Sequence, residues 1–199
     1  MDLEFHLVTN GMIPFEEIAD FMVQAEEIID FLHIRDSDRS ALEVYKGIQC
    51  LTSRGVPPEK LIVNDRTDAA AAAGIHRVQL GYRSLPPFAV KAAFSGMHAG
   101  KSVHSLEEAL QAEAEGANSV LFGHVFPTES KKGLEPKGLE QAGEIAEALE
   151  IEVLAIGGIE PVHIPLLQQK GIKGFAVMSG IWGSGNWLER ARAYRFASE

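Results

Sequence analysis

The segment 121–133 carries the residue types best suited to chemistry in this chain. An apolar run ends there at His124, and the following loop holds Thr128, Ser130 and Lys131. An imidazole titrates near neutral pH and can accept and return a proton, while hydroxyl and ammonium groups bind phosphate or carboxylate oxygens. We therefore predict proton transfer by His124 beside an anion bound by the loop. A packed or surface histidine is the alternative interpretation.

The composition limits what kind of protein this can be. With 199 residues, of which 46% are hydrophobic, the chain is long enough for one sizeable core, and we expect a single domain over residues 1–199. An excess of 28 acidic over 18 basic residues gives a formal charge of −10, which disfavours binding to nucleic acid or acidic membranes. Any anionic ligand must then be bound by a local group of donors.

Neither a disulfide nor a zinc site is predicted. Cys50 is the only cysteine, and the sequence contains no C-x-x-C or H-E-x-x-H spacing. The amino terminus lacks a basic segment followed by an apolar stretch, and no apolar run approaches the ~20 residues that cross a bilayer. We expect a cytoplasmic protein without a membrane segment.

Short apolar runs alternate with amphipathic segments rich in Ala and Glu, an order typical of parallel strands joined by helices. Helix starts are indicated by Pro14, by Ser40 with Glu43, and by Ser105 with Glu108, the last two at capping-box spacing. Eight such units in 199 residues predict a compact (β/α)₈ barrel, the TIM barrel. The predicted strands are Leu3–Val8, Ile28–Ile34, Lys60–Val63, Ile75–Leu80, His98–Val103, Ser119–Phe122, Ile151–Ile156 and Gly174–Met178.

Polar residues collect at the carboxyl ends of the predicted strands, where the functional groups of such barrels lie. His33 and Arg35 close the second strand, Asn64 follows the third, and Ser102 lies near the end of the fifth. We predict that Arg35, Asn64 and Ser102 bind substrate, although capping a loop is a structural alternative for each. His6 has no such neighbours in the sequence, and we interpret it as structural.

The seventh and eighth predicted strands both end in small residues. Gly157 and Gly158 follow one strand, and Ser179 and Gly180 follow the other. Glycines allow backbone N–H groups to approach an anion closely, and the loops after strands seven and eight form the common phosphate site of TIM barrels. We predict that Gly158, Ser179 and Gly180 bind a phosphate. Two tight turns would give the same pattern.

Five segments of the chain carry a family pattern. They are Phe31–Arg35, Leu61–Arg66, Gly123–Thr128, Ala155–Ile159 and Val177–Ile181. Together they resemble the thiamine phosphate synthase superfamily, and more closely its TenI branch, the thiazole tautomerases. The resemblance covers nearly the whole chain. It implies a TIM barrel that binds a thiazole phosphate and acts in thiamine biosynthesis.

Departures from the synthase pattern favour the tautomerase branch. The synthases resemble one another in a Gln-x-Arg-x-Lys segment, where this chain has His33, Arg35 and Ser37. Ser84 stands where synthases carry a magnesium-binding Asp, and His124 replaces the proline of their Gly-Pro pair. A hydroxyl is a poor replacement for a carboxylate on magnesium. We therefore expect no metal and no cofactor.

The resemblance implies a thiazole tautomerase that isomerises a 2-carboxy-thiazolylidene ethyl phosphate to the aromatic carboxythiazole ethyl phosphate. One group such as His124 could remove and return the proton, contributing about 100- to 10,000-fold. Arg35 and Lys131 occupy positions that face pyrophosphate in the synthases. Two alternatives stay open: a magnesium-dependent thiamine phosphate synthase and a non-catalytic regulatory phosphate-binding protein. The expected partner is the small thiazole phosphate, and a homo-oligomer is compatible with the sequence.

Overall fold

The computed structural model describes residues 3–197 as a closed barrel of eight parallel strands. The strands β1 to β8 are Glu4–Val8, Phe31–Ile34, Leu61–Asn64, Arg77–Leu80, His98–Val103, Ser119–Gly123, Glu152–Ile156 and Gly174–Val177. Neighbouring strands pair in chain order, and β8 closes the barrel by pairing with β1. The predicted (β/α)₈ barrel is thus confirmed.

Helices cover the outside of the barrel. The helices α1 to α9 are Phe15–Gln24, Ala41–Ser53, Thr67–Ala72, Pro87–Ala93, Leu106–Ala114, Leu139–Ala148, Ile164–Gln169, Ser179–Trp182 and Trp187–Arg195. Within residues 3–197, none of them has the length and apolar character that crossing a membrane requires.

Two strands, β2 and β4, begin at least two residues later than the apolar runs indicate. β2 begins at Phe31, because Ile28 and Ile29 form a turn in which both N–H groups donate to the carbonyl of Ala25. β4 begins at Arg77 rather than Ile75, whose N–H donates to a carbonyl of α3. All three isoleucines are buried. An apolar run marks burial in both cases, but it does not show where the strand begins.

The two predicted capping boxes differ. Ser40 and Glu43 form the complete box, in which the Ser40 hydroxyl accepts from the Glu43 N–H and the Glu43 carboxylate accepts from the Ser40 N–H. Ser105 accepts from the Glu108 N–H at 3.1 Å, but the Glu108 carboxylate accepts from the N–H of His104 instead. The second box is therefore only half formed, although the helix begins where it was predicted.

The inside of the barrel is divided into an apolar and a polar part. Successive residues of a strand point to opposite faces, so every second residue points inward. A small inner cluster of Val8, Leu121, Leu154 and Ala176 fills the side made by β1 and β6 to β8. Near the carboxyl ends of β2 to β5, the inward residues are polar. They are His33, Asn64, Gln79 and Ser102.

Candidate active site

His124 lies under a loop that folds back over the carboxyl end of β6. The side chain is only 8% exposed, and its Nε2 lies 3.4 Å from the carbonyl oxygen of Leu134. The far end of the loop is fixed by the Lys137 N–H, which donates to the His124 carbonyl, and by the Gly138 N–H, which donates to the carbonyl of Val125. The predicted catalytic histidine is therefore covered by its own loop.

The loop after β6 packs directly on the glycines after β7. The Phe126 N–H donates to the Gly157 carbonyl at 2.9 Å. Gly157 and Gly158 have φ angles of +99° and +66°, which favour glycine. A Cβ at Gly157 would lie 2.3 Å from Cβ of His124, and one at Gly158 would lie 2.3 Å from the Pro127 carbonyl oxygen. Both positions therefore require glycine for two reasons.

Tyr194 connects the loops after β7 and β8 from below. Its hydroxyl donates to the carbonyl of Ile159 at 2.8 Å, and a Cβ at Gly180 would lie 2.3 Å from the same hydroxyl. Burial, with a contribution from the charge of Glu160, raises the pKa of Tyr194 to about 12. The hydroxyl therefore remains a donor, and it holds the two loops together while Ser179 stays exposed.

The residues of the predicted anion-binding loop lie further out. Thr128 caps a short 3₁₀ helix over Glu129–Lys131 by accepting a hydrogen bond from the Ser130 N–H at 3.4 Å. Ser130 and Lys131 are exposed. The structure thus brings Thr128, Ser130 and Lys131 together on the loop that covers His124.

On the opposite side of the mouth, Asp65 connects the ends of β3 and β4. Its φ of +60° makes it the one non-glycine residue with positive φ among residues 3–197, and such strained positions cluster at functional sites. The N–H of Gly81 and the hydroxyl of Ser84 both donate to Asp65 Oδ1. We did not include Asp65 among the predicted binding residues, although its place after β3 was a usable signal.

The remaining predicted residues border this second side. The backbone of Arg35 is fixed by two hydrogen bonds with the Thr9 hydroxyl, and its side chain is exposed. The Ser102 hydroxyl accepts from the Gln79 amide at 3.0 Å and so forms part of the floor. Asn64 has a buried Oδ1 that has no hydrogen-bond partner within residues 3–197. All three therefore lie at the mouth, at different depths.

A closed barrel that carries glycine loops, a strained carboxylate and hydroxyl groups at the carboxyl ends of its strands has the architecture of (β/α)₈-barrel enzymes. Residues 5–181 match the thiamine monophosphate synthase family. The chain belongs to that family.

Known proteins similar to this chain share most of its length. A thiamine-phosphate synthase of Pyrococcus abyssi is 37% identical over 185 residues, which are 92% of this chain and 88% of that protein. A thiamine-phosphate synthase of Clostridium tetani is 35% identical over 191 residues, 92% and 90% of the two chains. The solved structure of a thiamine phosphate pyrophosphorylase from Pyrococcus furiosus superposes with a TM-score of 0.83 at 28% identity, covering 98% and 95%.

These relatives contradict the expected tautomerase function, since they are named synthases. The family match likewise does not distinguish the TenI branch. The expectation was wrong because it rested on single departures at His33, Ser84 and His124, whereas the relatives match over about nine tenths of the chain. Without the tautomerase function, an isomerisation catalysed by His124 is no longer expected.

Proposed function

We propose that this chain is a thiamine-phosphate synthase, a transferase that joins a pyrimidine carried as its diphosphate to a thiazole phosphate. In this reaction the bond between the pyrimidine methylene carbon and the diphosphate oxygen breaks, a bond from that carbon to the thiazole nitrogen forms, and diphosphate leaves. The proposal is carried by the similarity to named synthases over 92% of the chain.

We further propose that the mouth binds two anionic groups. We assign Gly158, Ser179 and Gly180 to the thiazole phosphate, because the loops after the seventh and eighth strands form the common phosphate site of TIM barrels. Arg35 lies across the mouth from these glycines and Lys131 on the outer loop, both as exposed cations. We assign them to the diphosphate, with hydroxyl donors from Thr128 and Ser130.

The carboxylate of Asp65 is suited to serve as one ligand of a magnesium ion. Its Oδ1 accepts from Gly81 and Ser84, while Oδ2 makes no hydrogen bond to the part of the chain that the structure describes. Residues 3–197 contain no group of three or more His, Cys, Asp or Glu that could hold a metal ion alone. Magnesium is commonly bound by one or two carboxylates together with substrate phosphates and water. A bound magnesium ion would neutralise charge on the leaving diphosphate.

In this proposal His124 positions the loop after β6. Its side chain is buried between the Leu134 carbonyl and Gly157, so it supports both the covering loop and the glycine loop. The packing role weighed for this histidine from the sequence is therefore the one that we assign.

The decisive experiment is formation of thiamine phosphate from both substrates in the presence of magnesium, followed by chromatography. Asp65→Asn should lower the rate by at least about 10- to 100-fold, the loss typical of disturbed metal sites. The matched control is Asp20→Asn, which removes a carboxylate on the outer helix α1 that is 61% exposed and pairs with Arg54. It should stay near the wild-type rate. A folded wild-type protein that forms no thiamine phosphate would refute the proposal.

A further inference from the structure

A series of polar side chains in contact with one another extends along the inside of the barrel from β1 to β3. It starts at Glu4, the first residue of β1, whose side chain is 30% exposed. Glu4 Oε2 lies 3.4 Å from His6 Nε2, and His6 Nδ1 lies 2.9 Å from His33 Nε2. Both histidines are buried. The two imidazoles therefore connect an accessible carboxylate at the amino end of the barrel with the mouth.

The end of this polar series that lies nearest the mouth has two polar atoms without a partner among residues 3–197. His33 Nδ1 and Asn64 Oδ1 are both buried, and neither has a hydrogen-bond partner within residues 3–197. Asn64 is the last residue of β3, so the pair lies at the floor of the mouth. Buried polar atoms are normally paired. An unpaired nitrogen and oxygen at the floor therefore indicate a position that a ligand can complete.

The polar series of Glu4, His6 and His33 allows two arrangements of protons. The reason is that each contact between imidazoles needs one donor and one acceptor. When His6 is neutral, its Nε2–H donates to Glu4 and its Nδ1 must accept from His33 Nε2–H. This leaves His33 Nδ1 as a bare acceptor. When His6 is charged, both of its nitrogens donate, so His33 Nε2 accepts and the proton of neutral His33 sits on Nδ1.

His33 itself stays neutral in both arrangements. Burial holds the pKa of His33 well below its ordinary value, and His6 acts in the same direction, while Asn64 opposes them. The change from one arrangement to the other therefore takes up one proton in total, and the resulting charge resides on His6 next to Glu4.

We infer that His6 and His33 form a proton-coupled positioning pair, in which the charge of His6 decides whether His33 presents an acceptor or a donor at the floor of the mouth. With neutral His6, the bare Nδ1 and Asn64 Oδ1 are two neighbouring acceptors that favour a ligand group bearing N–H or O–H. With charged His6, His33 presents an N–H donor at Nδ1 instead, which favours a ligand group that accepts a hydrogen bond. This role goes beyond the proposed transfer reaction.

Charged groups from several strands surround the lower end of the pair. A cavity of about 20 Å³ opens there beside His6, which is room for about one water molecule. The titratable and charged groups that face it or act on Glu4 are Arg77 on β4, His98 on β5, Glu152 on β7 and Lys173 before β8. These groups set the electrostatic environment of His6, but the added proton enters from the mouth at His33 Nδ1, because His6 Nε2 already carries a proton in the neutral arrangement.

The test is ¹⁵N NMR of the whole protein labelled in its histidine rings, with His33→Gln used to assign the His33 signals. At roughly pH 8 His33 should carry its proton on Nε2, and at roughly pH 5 on Nδ1, with no charged-ring signal of its own. Glu4→Gln should move this exchange to lower pH, because the amide carries no negative charge to pair with a charged imidazole at His6.

Two further variants complete the test. His6→Phe should make the His33 tautomer independent of pH, and His76→Gln, at an exposed histidine, should change nothing. A His33 tautomer that stays constant from pH 5 to 8 in the wild type, or a His33 ring that becomes charged, would overturn the inference. If His6→Phe does not fold, the shift in Glu4→Gln decides. No substrate is used, so the outcome is independent of the proposed synthase activity.

Discussion

The β6 to β8 side of the mouth is shaped by backbone, whereas the β2 to β4 side is shaped by side chains. On the first side, Gly157 and Gly158 lie against the chain of the preceding loop with no room for a Cβ. On the second side, Asp65 receives hydrogen bonds from Gly81 and Ser84, and the imidazole of His33 is buried.

Because of this difference, the two sides of the mouth should respond differently to mutation and to pH. A site made from close-packed backbone changes abruptly when an atom is added, because protein interiors have little free volume. A site made from side-chain hydrogen bonds and titratable groups changes in smaller steps and with pH. We therefore expect the glycine side to respond to sterics, and the Asp65 side to respond to single hydrogen bonds and protons.

The largest effect should come from Gly158→Ala. The positive φ alone costs about 1–2 kcal/mol for a residue with a Cβ, and the collision with the Pro127 carbonyl adds to it. We expect the free energy of unfolding in urea to fall by about 3 kcal/mol or more. Gly133→Ala is the control, since its φ is +82° but nothing lies within 4 Å of an added Cβ. It should lose about 1 kcal/mol. Equal losses would mean that the two loops are not packed together.

The next largest effect should be a pH dependence of the free energy of unfolding, which is caused by the buried His33 on the β2 to β4 side. The pKa of His33 in the folded protein is well below the ordinary 6.5, so below pH 6.5 the unfolded chain binds a proton that the folded chain does not. Stability is therefore complete above that pH and falls as the pH decreases from it towards the folded value. The slope for one such group is at most about 1.4 kcal/mol per pH unit.

The measurement is the free energy of unfolding in urea between about pH 5 and pH 8. His33→Gln should reduce the slope, while His76→Gln, at an exposed histidine, should keep it. The wild-type slope also includes His98, whose pKa burial lowers in the same direction. An unchanged slope in His33→Gln would contradict the assignment. Gly158→Ala should lower the curve without changing its slope.

The fold could be predicted from the sequence because barrels repeat one local pattern. Each unit shows an apolar run followed by an amphipathic segment, and local helix signals such as Ser40 with Glu43 reinforce the pattern. The bounds were less predictable where buried residues precede a strand, as at Ile28 and Ile75. The half-formed cap of α5 depends on His104 competing for Glu108, which is a matter of local geometry.

The positions of the site residues could be predicted from the sequence, but the contacts between their side chains could not. The ends of the strands could be read from the sequence, so Asn64, Ser102 and Gly158 were expected at the mouth. The contact of His6 with His33 depends on the pairing of β1 with β2, and residues 27 positions apart give no sequence signal of it. His6 was therefore interpreted as structural. The function was mistaken for a similar reason: single residues were weighed without the rest of the chain.

The smallest effect should come from Ser84→Ala. The Ser84 hydroxyl donates to Asp65 and accepts from the Gly81 N–H, but this N–H still reaches Asp65 Oδ1 at 2.9 Å when the hydroxyl is absent. We expect a loss of about 1 kcal/mol in the free energy of unfolding, the net value of one hydrogen bond. Ser37→Ala removes an exposed hydroxyl that contacts Asp38 at 3.4 Å, and it should change stability by less than about 0.5 kcal/mol. A loss in Ser84→Ala as large as that in Gly158→Ala would mean that the Asp65 side is as tightly packed as the glycine side, and the contrast between the two would fail.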